Sequence, residues 1–375
     1  MLLALSSLLG APGGIPSFNR LLIRAASEFA QVRRLPLHIV ALTDEPGADP
    51  DFLAGLPRAV SPTYVACRGN RRLFAAEVLG FVGRESAVVL GHVNLSPLGL
   101  GFSRFGVIAH GTDVWSPLPI LRRWSLQRAT VAAGVSEDTL RKLCAVQGVR
   151  PDRCQRLVNA LDEQSLALAA ATPKTACESS LRLRIVAITR LWIGEPKGID
   201  LVIRSLPQLP DVDFEVVGDG AARPQLVDLA QSLGVADRVH FVGRLSETEK
   251  HAAIARSHAL VLPSSGEGFG IVYLEAMAHR RPCLAASVGG APEVVLDGET
   301  GVVVEPTVQA AAGSAAVAGL TATGRDSGTT ERTPIYRKWW FWAAGGAVVI
   351  AAVGIGLGVG LQPGTVAPYR EVTWQ

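Results

Sequence analysis

Between residues 264 and 278 the chain reads "SSGEGFGIVYLEAMA", which sets two carboxylates, Glu267 and Glu275, eight positions apart around a turn holding Gly268 and Gly270. The apolar run "HALVLP" before it suits a strand ending at Pro263, and the residues after it suit a helix beginning near Phe269. In that arrangement the backbone amides of Phe269, Gly270 and Ile271 lie at a helix N-terminus. Such a terminus offers unpaired N–H donors and partial positive charge, a seat for phosphate. Glu267 precedes the helix, while Glu275 lies inside it, about 6 to 9 Å further along the axis. The two are too far apart to serve one atom. Acceptor carboxylates at different depths around a phosphate seat match a ligand with hydroxyl groups at both ends, which is the layout of a nucleotide sugar.

The neighbouring segments add charge of the right sign. In "ITRLWIGEPKGIDLVI", Arg190 falls at a strand end and Lys197 just before the helix opened by "KGID", two cations placed to neutralise a diphosphate. Downstream, "SVGGAPEVVLDGETG" puts Gly289, Gly290 and Pro292 in a turn after a strand. No acidic or histidine group at ligand spacing stands out beside these motifs, so no metal is expected and the diphosphate charge falls to the protein alone.

The elements that must position these residues can be read from the rhythm of the chain. From residue 1 to about 165, strand-length apolar runs ("LLALSS", "PLHIVAL", "SAVVLGHV", "FGVIAH", "ATVAAGVS") alternate with helical patterns such as "SFNRLLIRAASEFA". From 181 to 306 the rhythm resumes with "LRIVAIT", "DFEVVG", "DRVHFVG", "HALVLP", "PCLAAS" and "TGVVVE", with helices starting near Gly198, Arg223, Ser246 and Phe269. Ser246 and Glu249 have the spacing of a capping box. The pattern predicts an α/β protein with two doubly wound, Rossmann-like domains facing across a cleft. The expected boundaries are 1–165 for the first domain, 166–180 for a hinge segment and 181–306 for the second domain. Residues 307–338, rich in Ala, Gly, Ser and Thr, read as a flexible linker, and 362–375 as a short tail.

Composition bounds the function. The chain has 375 residues and a net charge of only +3, with acids and bases interspersed, so a nucleic-acid partner is not expected. Its five cysteines are scattered and never spaced C-x-x-C, which encodes neither a disulfide framework nor a zinc site and fits a reducing cytoplasm. The start, "MLLALSSLLGAPGG", lacks the basic region of a signal peptide and reads as a first buried strand. Residues 341–361 carry no charge and have the length that spans a bilayer. With Arg337, Lys338, Trp339, Trp340 and Trp342 at its start, 339–361 reads as a single transmembrane helix that leaves the bulk of the chain on the cytoplasmic face of the inner membrane.

Taken in order, "TRL", "KGID", "VVGDG", "EGFGIVYLEAMA", "GGAPEVV" and "DGETG" resemble the donor-binding domain of family 4 glycosyltransferases, the retaining GT-B enzymes of glycosyl transferases group 1. In the first half "GGIPSFNR" at 13–20 looks like the family's glycine-rich first loop, and "HGTDVW" at 110–115 resembles its His-Gly strand-end motif. The resemblance implies that Glu267 contacts the donor sugar and Glu275 the ribose hydroxyls. It gives Arg190 and Lys197 the diphosphate, Gly13 and Gly14 the loop that closes on it, and His110 the sugar and reacting centre. His92, at another strand end, reads as structural or acceptor-side.

The implied reaction moves a sugar from a UDP- or GDP-sugar to a hydroxyl of a glycan or lipid-linked acceptor, with retention and no further cofactor. It would serve cell-surface polysaccharide or glycolipid synthesis. After "GVVVEPTVQ" the family's closing helices, which cross back onto the first domain, are not found, so the second domain is expected to be truncated. The alternative is a catalytically inactive, membrane-tethered scaffold.

Overall fold

A computed structural model describes residues 1–8, 13–46, 52–53, 55–56, 62–84, 87–173 and 182–313. The expected flexible linker starts instead as a helical turn, 308–313, and the rest of it and the expected transmembrane segment 339–361 lie outside the described residues; among the described residues no helix is long and apolar enough to cross a membrane.

The first sheet is built from β1 (Leu2–Leu5), β2 (His38–Ala41), β3 (Thr63–Ala66), β4 (Val88–Leu90), β5 (Gly106–Ala109), β6 (Val131–Gly134) and β7 (Cys154–Arg156). They pair in parallel in the order β3-β2-β1-β4-β5-β6-β7. The second sheet takes β8 (Leu183–Ile188), β9 (Val212–Val217), β10 (Val239–Gly243), β11 (Ala259–Leu262), β12 (Cys283–Ala286) and β13 (Gly301–Val304), all parallel, in the order β10-β9-β8-β11-β12-β13. Each sheet thus reverses its strand order once, between β1 and β4 and between β8 and β11. Ligands of doubly wound sheets bind beyond the strand ends at such a reversal.

Parallel strands covered on both faces must be apolar on both, and β1 shows it. Leu3 and Leu5 join one core with Ile39, Val89 and Ile108, whereas Leu2 and Ala4 join the opposite one with Val40, Leu90 and Val107. Against the first face packs α1 (Gly14–Arg33), whose buried Phe18, Leu22, Ile23, Ala26, Phe29 and Ala30 recur at helical spacing along one stripe. The other face is covered from α2 (Arg71–Leu79), α3 (Ile120–Arg128) and α4 (Glu137–Ala145) by Phe74, Val78, Leu126 and Leu143.

Part of the expected hinge segment is helical, because α5 (Glu163–Ala171) forms behind an Asp162 cap that accepts from the Ser165 amide at 2.8 Å. In the second domain follow α6 (Ile199–Ser205), α7 (Arg223–Ser232), α8 (Glu247–Arg256) and α9 (Ile271–Ala278). The expected capping box of Ser246 and Glu249 is present at the start of α8. The α9 helix begins two residues later than the sequence suggests. Gly270 takes the cap position with φ 93°, a left-handed conformation that bends the chain into the helix, and Phe269 before it is buried.

Candidate functional site

Two loops of the second domain build one wall. After β11, Ser264 Oγ and the Ser265 amide both donate to the Pro196 carbonyl, at 3.1 and 3.0 Å, tying this loop to the one before α6. Gly198 closes the tie: its φ of 73° and its approach to Pro263, where a Cβ would lie 2.4 Å from the carbonyl oxygen, admit no side chain. Lys197 is thereby aimed along the β11 loop, and its ammonium donates to the Gly266 carbonyl at 3.1 Å and to Glu267 Oε2 at 3.3 Å. Behind the loop, the buried Tyr273 hydroxyl donates to the Leu262 carbonyl at 2.7 Å and fixes the first turn of α9 to the strand end. Burial first, and the Glu267 charge second, push the Tyr273 phenol well up, so it stays a donor.

The opposite wall comes from the first domain. At the end of β5 the His110 amide donates to both Asp113 carboxylate oxygens, at 3.0 and 3.1 Å. The His110 ring donates from Nε2 to the Gly91 carbonyl at 2.8 Å and meets the edge of Phe18, which leaves Nδ1 as the acceptor. Burial lowers the His110 pKa, opposed by Asp113 and by the bond to Gly91, so the imidazole is neutral at pH 7. His92 stands beside it with ring centres 5.7 Å apart, and burial lowers its pKa as well, against the pull of Asp113. Its Nδ1 accepts from the Asn94 amide at 3.1 Å, a capping role.

The walls meet backbone to backbone. A Cβ on Gly268 would lie 2.1 Å from the His110 carbonyl oxygen and 2.8 Å from Gly111 Cα, so only glycine fits there. Gly14 faces Ile271 across the same junction at ordinary van der Waals distance, 3.6 Å from its Cβ position to the isoleucine Cδ1, and Gly13 caps α1 beside it. The Gly290 amide donates to the Glu267 carbonyl at 2.8 Å, which sets the "GGAPEVV" turn against the same loop. The structure therefore gathers Gly14, His110, Lys197, Glu267, Gly270 and Ile271 at one place, where the strand ends of both sheets converge.

Three expected partners stand apart. Arg190 is exposed, 3.6 Å from Glu195 and with its guanidinium over the Trp192 ring, rather than beside Glu267. Phe269 precedes the helix cap with its side chain in the core, so the first-turn amides begin with Gly270 and Ile271. Glu275 is buried one layer deeper, on Lys250 Nζ at 2.8 Å. Burial raises its pKa and Lys250 opposes the rise. Burial alone would lower the Lys250 ammonium, but Glu275 and Glu247 together hold it above its ordinary value.

The sequence reading missed Lys250, whose partner is 25 residues away on another helix, and Asp113, although it lies inside the quoted "HGTDVW". It also missed Glu293 of "GGAPEVV". That carboxylate accepts from the amides of Glu137 and Asp138, at 2.9 and 3.0 Å, and pairs with Arg156 at 3.0 Å, so the second domain caps a helix of the first.

With this geometry in view, comparison with known proteins becomes specific. Residues 186–323 match the family model of Glycosyl transferases group 1. This segment is similar to a glycosyl transferases group 1 domain. It contains Arg190, Lys197, Glu267, Gly270, Ile271 and Glu275, whereas Gly13, Gly14 and His110 face it from the first domain. A curated relative, the GDP-mannose-dependent alpha-(1-6)-phosphatidylinositol monomannoside mannosyltransferase of Mycolicibacterium smegmatis, is 35% identical over an alignment of 231 residues that covers 55% of this chain. The chain spans 58% of that relative's length. A glycosyltransferase from Rickettsia africae ESF-5 superposes with a TM-score of 0.64 at 17% identity, covering 96% of both chains. The Anabaena protein HepE in complex with UDP-glucose does so with 0.63 at 18%, covering 96% of this chain and 97% of its own. At such identities the likeness is one of fold, the two-domain GT-B-like fold.

Proposed function

We propose that the chain is a retaining glycosyltransferase of family 4 that moves a sugar from a nucleotide diphosphate sugar to a hydroxyl of a glycan or lipid-linked acceptor, in cell-surface polysaccharide or glycolipid synthesis. The observation that carries this reading is the meeting of Gly268 with His110 and Gly111, which sets the Lys197–Glu267 pair of the glycosyl transferases group 1 domain against the first-domain histidine. In the proposed reaction the diphosphate lies against the first-turn amides of α9, with Lys197 and Arg190 stabilising the negative charge that grows on the leaving group. Glu275 accepts from the ribose hydroxyls, and Lys250 holds its carboxylate in place. Glu267 accepts from the donor sugar, and neutral His110 accepts through Nδ1 at the reacting end. The glycines at 13 and 14 let the first loop approach the diphosphate from across the cleft.

The apolar stretch 341–361 would hold this catalytic body at the cytoplasmic face of a membrane, beside lipid-linked acceptors. The curated relative is named for GDP-mannose and the Anabaena structure holds UDP-glucose, so both bases enter the test.

That test is calorimetric titration with UDP, GDP and ADP on the wild type and on Glu275→Ala, followed by turnover of the matching nucleotide sugar. One nucleotide should bind, Glu275→Ala should weaken it, and His110→Ala should spare binding and lower turnover. Folded protein that binds none of the three would replace this reading with an inactive scaffold.

A further inference from the structure

Cys144 lies in the last turn of α4 and Cys154 opens β7, the edge strand of the first sheet. Ten residues apart in sequence, their sulfurs are brought to 3.5 Å by the turn of chain between helix and strand, and both side chains remain partly exposed. Cys67 and Cys283, by contrast, are buried. Thiols at this distance need to close by only about 1.5 Å to reach the length of a disulfide. We propose that Cys144 and Cys154 form a redox modification site, a dithiol that a small-molecule disulfide such as oxidised glutathione converts reversibly to an internal disulfide.

The step balances as two exchanges. The Cys144 thiolate attacks one sulfur of the small disulfide, forming a mixed disulfide and expelling one thiolate. Cys154 then gives up its proton and attacks the Cys144 sulfur, closing the internal bond and expelling the second thiolate. The chain loses two electrons, and the oxidant is reduced to two thiols. The order of attack follows from the surroundings. Burial, and then the hydrogen bond with Cys144, push the Cys154 thiol up to about 12, so Cys154 keeps its proton and the first attack falls to Cys144.

The place of the pair gives the modification a structural consequence. Cys144 ends the helix whose opposite end receives Glu293 from the second domain, and Cys154 lies two residues before Arg156, which pairs with the same carboxylate. The disulfide would tie together the two first-domain elements that make this contact.

The test exposes the 375-residue chain, folded by circular dichroism, to mixtures of oxidised and reduced glutathione, quenches free thiols by alkylation and maps the peptides by mass. The expected product is a peptide pair joined through Cys144 and Cys154, lighter by two hydrogens and lost on treatment with dithiothreitol. Cys154→Ser should instead trap a lasting glutathione adduct on Cys144, and Cys144→Ser should leave Cys154 free. The inference is overturned if both thiols of the folded wild type survive the oxidant, if the joined peptides form only in urea, or if a glutathione adduct persists on wild-type Cys144.

Discussion

The two glutamates of the 264–278 stretch are each held by a lysine, and the two pairs occupy different surroundings. Glu267 and Lys197 lie where the domains meet, 3.3 Å apart, with about a fifth of each side chain exposed (19% and 17%). Glu275 and Lys250 lie one layer behind, 2.8 Å apart and less exposed (9% and 14%), where burial disfavours the carboxylate that the lysine stabilises. A single motif thus supplies one charge whose energy is screened and adjustable, and one whose partner cannot be removed cheaply. Stability should depend on the deep pair and turnover on the shallow one.

The largest expected effect tests the deep pair. Lys250→Met leaves the Glu275 carboxylate buried and unpaired, and should lower stability by about 3–5 kcal/mol in urea unfolding. Adding Glu275→Leu to the same chain should restore most of that loss, because a buried ion pair is replaceable by packed apolar groups. A loss as small as that of a surface pair would remove the distinction between the two sites.

Next comes the contact that brings the shallow pair to His110. Gly268→Ala places a methyl group where only 2.1 Å separates it from the His110 carbonyl oxygen, and the two walls must part. Turnover should fall about 100-fold, the scale on which a displacement near 1 Å acts. Nucleotide binding, which rests mainly on second-domain residues, should fall far less than turnover. Equal loss of both in a titration and a turnover assay would show that the second domain itself had been disturbed.

A smaller effect distinguishes the surroundings by pH. Next to Lys250, His251 hydrogen-bonds His279 at 2.8 Å, and burial lowers both from an ordinary 6.5 to about 4. Between those values the unfolded chain takes up protons that the folded chain refuses, so stability falls as pH drops from 6.5 toward 4. Glu275 works the other way, since burial makes the folded chain hold its proton more readily. The readout is therefore a difference. The melting temperature of His251→Gln/His279→Gln should fall less over this window than that of the wild type. Parallel curves would mean that neither imidazole resists protonation in the fold.

How far these surroundings could be read beforehand follows the range over which each signal acts. Strands such as "LRIVAIT" and "HALVLP" announce themselves locally, because a parallel strand covered on both faces is apolar throughout. The edge strands β3 and β7 carry polar or half-exposed residues and gave no such signal. Glu267, Lys197 and His110 were legible as ordered motifs at strand ends, where a doubly wound sheet puts its ligands. Lys250 and Glu293 were not, since their partners are set by how α8 packs on α9 and how the second domain meets α4. The start of α9 was placed two residues early because Phe269, an apolar residue before a helix, reads as part of the helix until Gly270 is seen in its left-handed conformation. The approach of Cys144 to Cys154 depends on the same kind of information, a helix end returning to an edge strand.

The smallest expected change in stability sharpens the comparison most. Lys197→Met removes a cation that bonds the Gly266 carbonyl and the half-buried Glu267, so unfolding should shift by about 1 kcal/mol, less than at Lys250. The loop keeps its shape without that cation, because Ser264 and Ser265 hold Pro196 through bonds that do not involve the ammonium. Turnover of the nucleotide sugar should nevertheless fall, since the charge that meets the departing diphosphate is gone while the amides at α9 remain. Measured beside Lys250→Met, the two variants should separate: one unstable and weakened in nucleotide binding through Glu275, the other stable and slow. If Lys197→Met were instead as unstable as Lys250→Met, the shallow pair would be a structural one, and the leaving-group charge would have to be met by Arg190 and the helix amides.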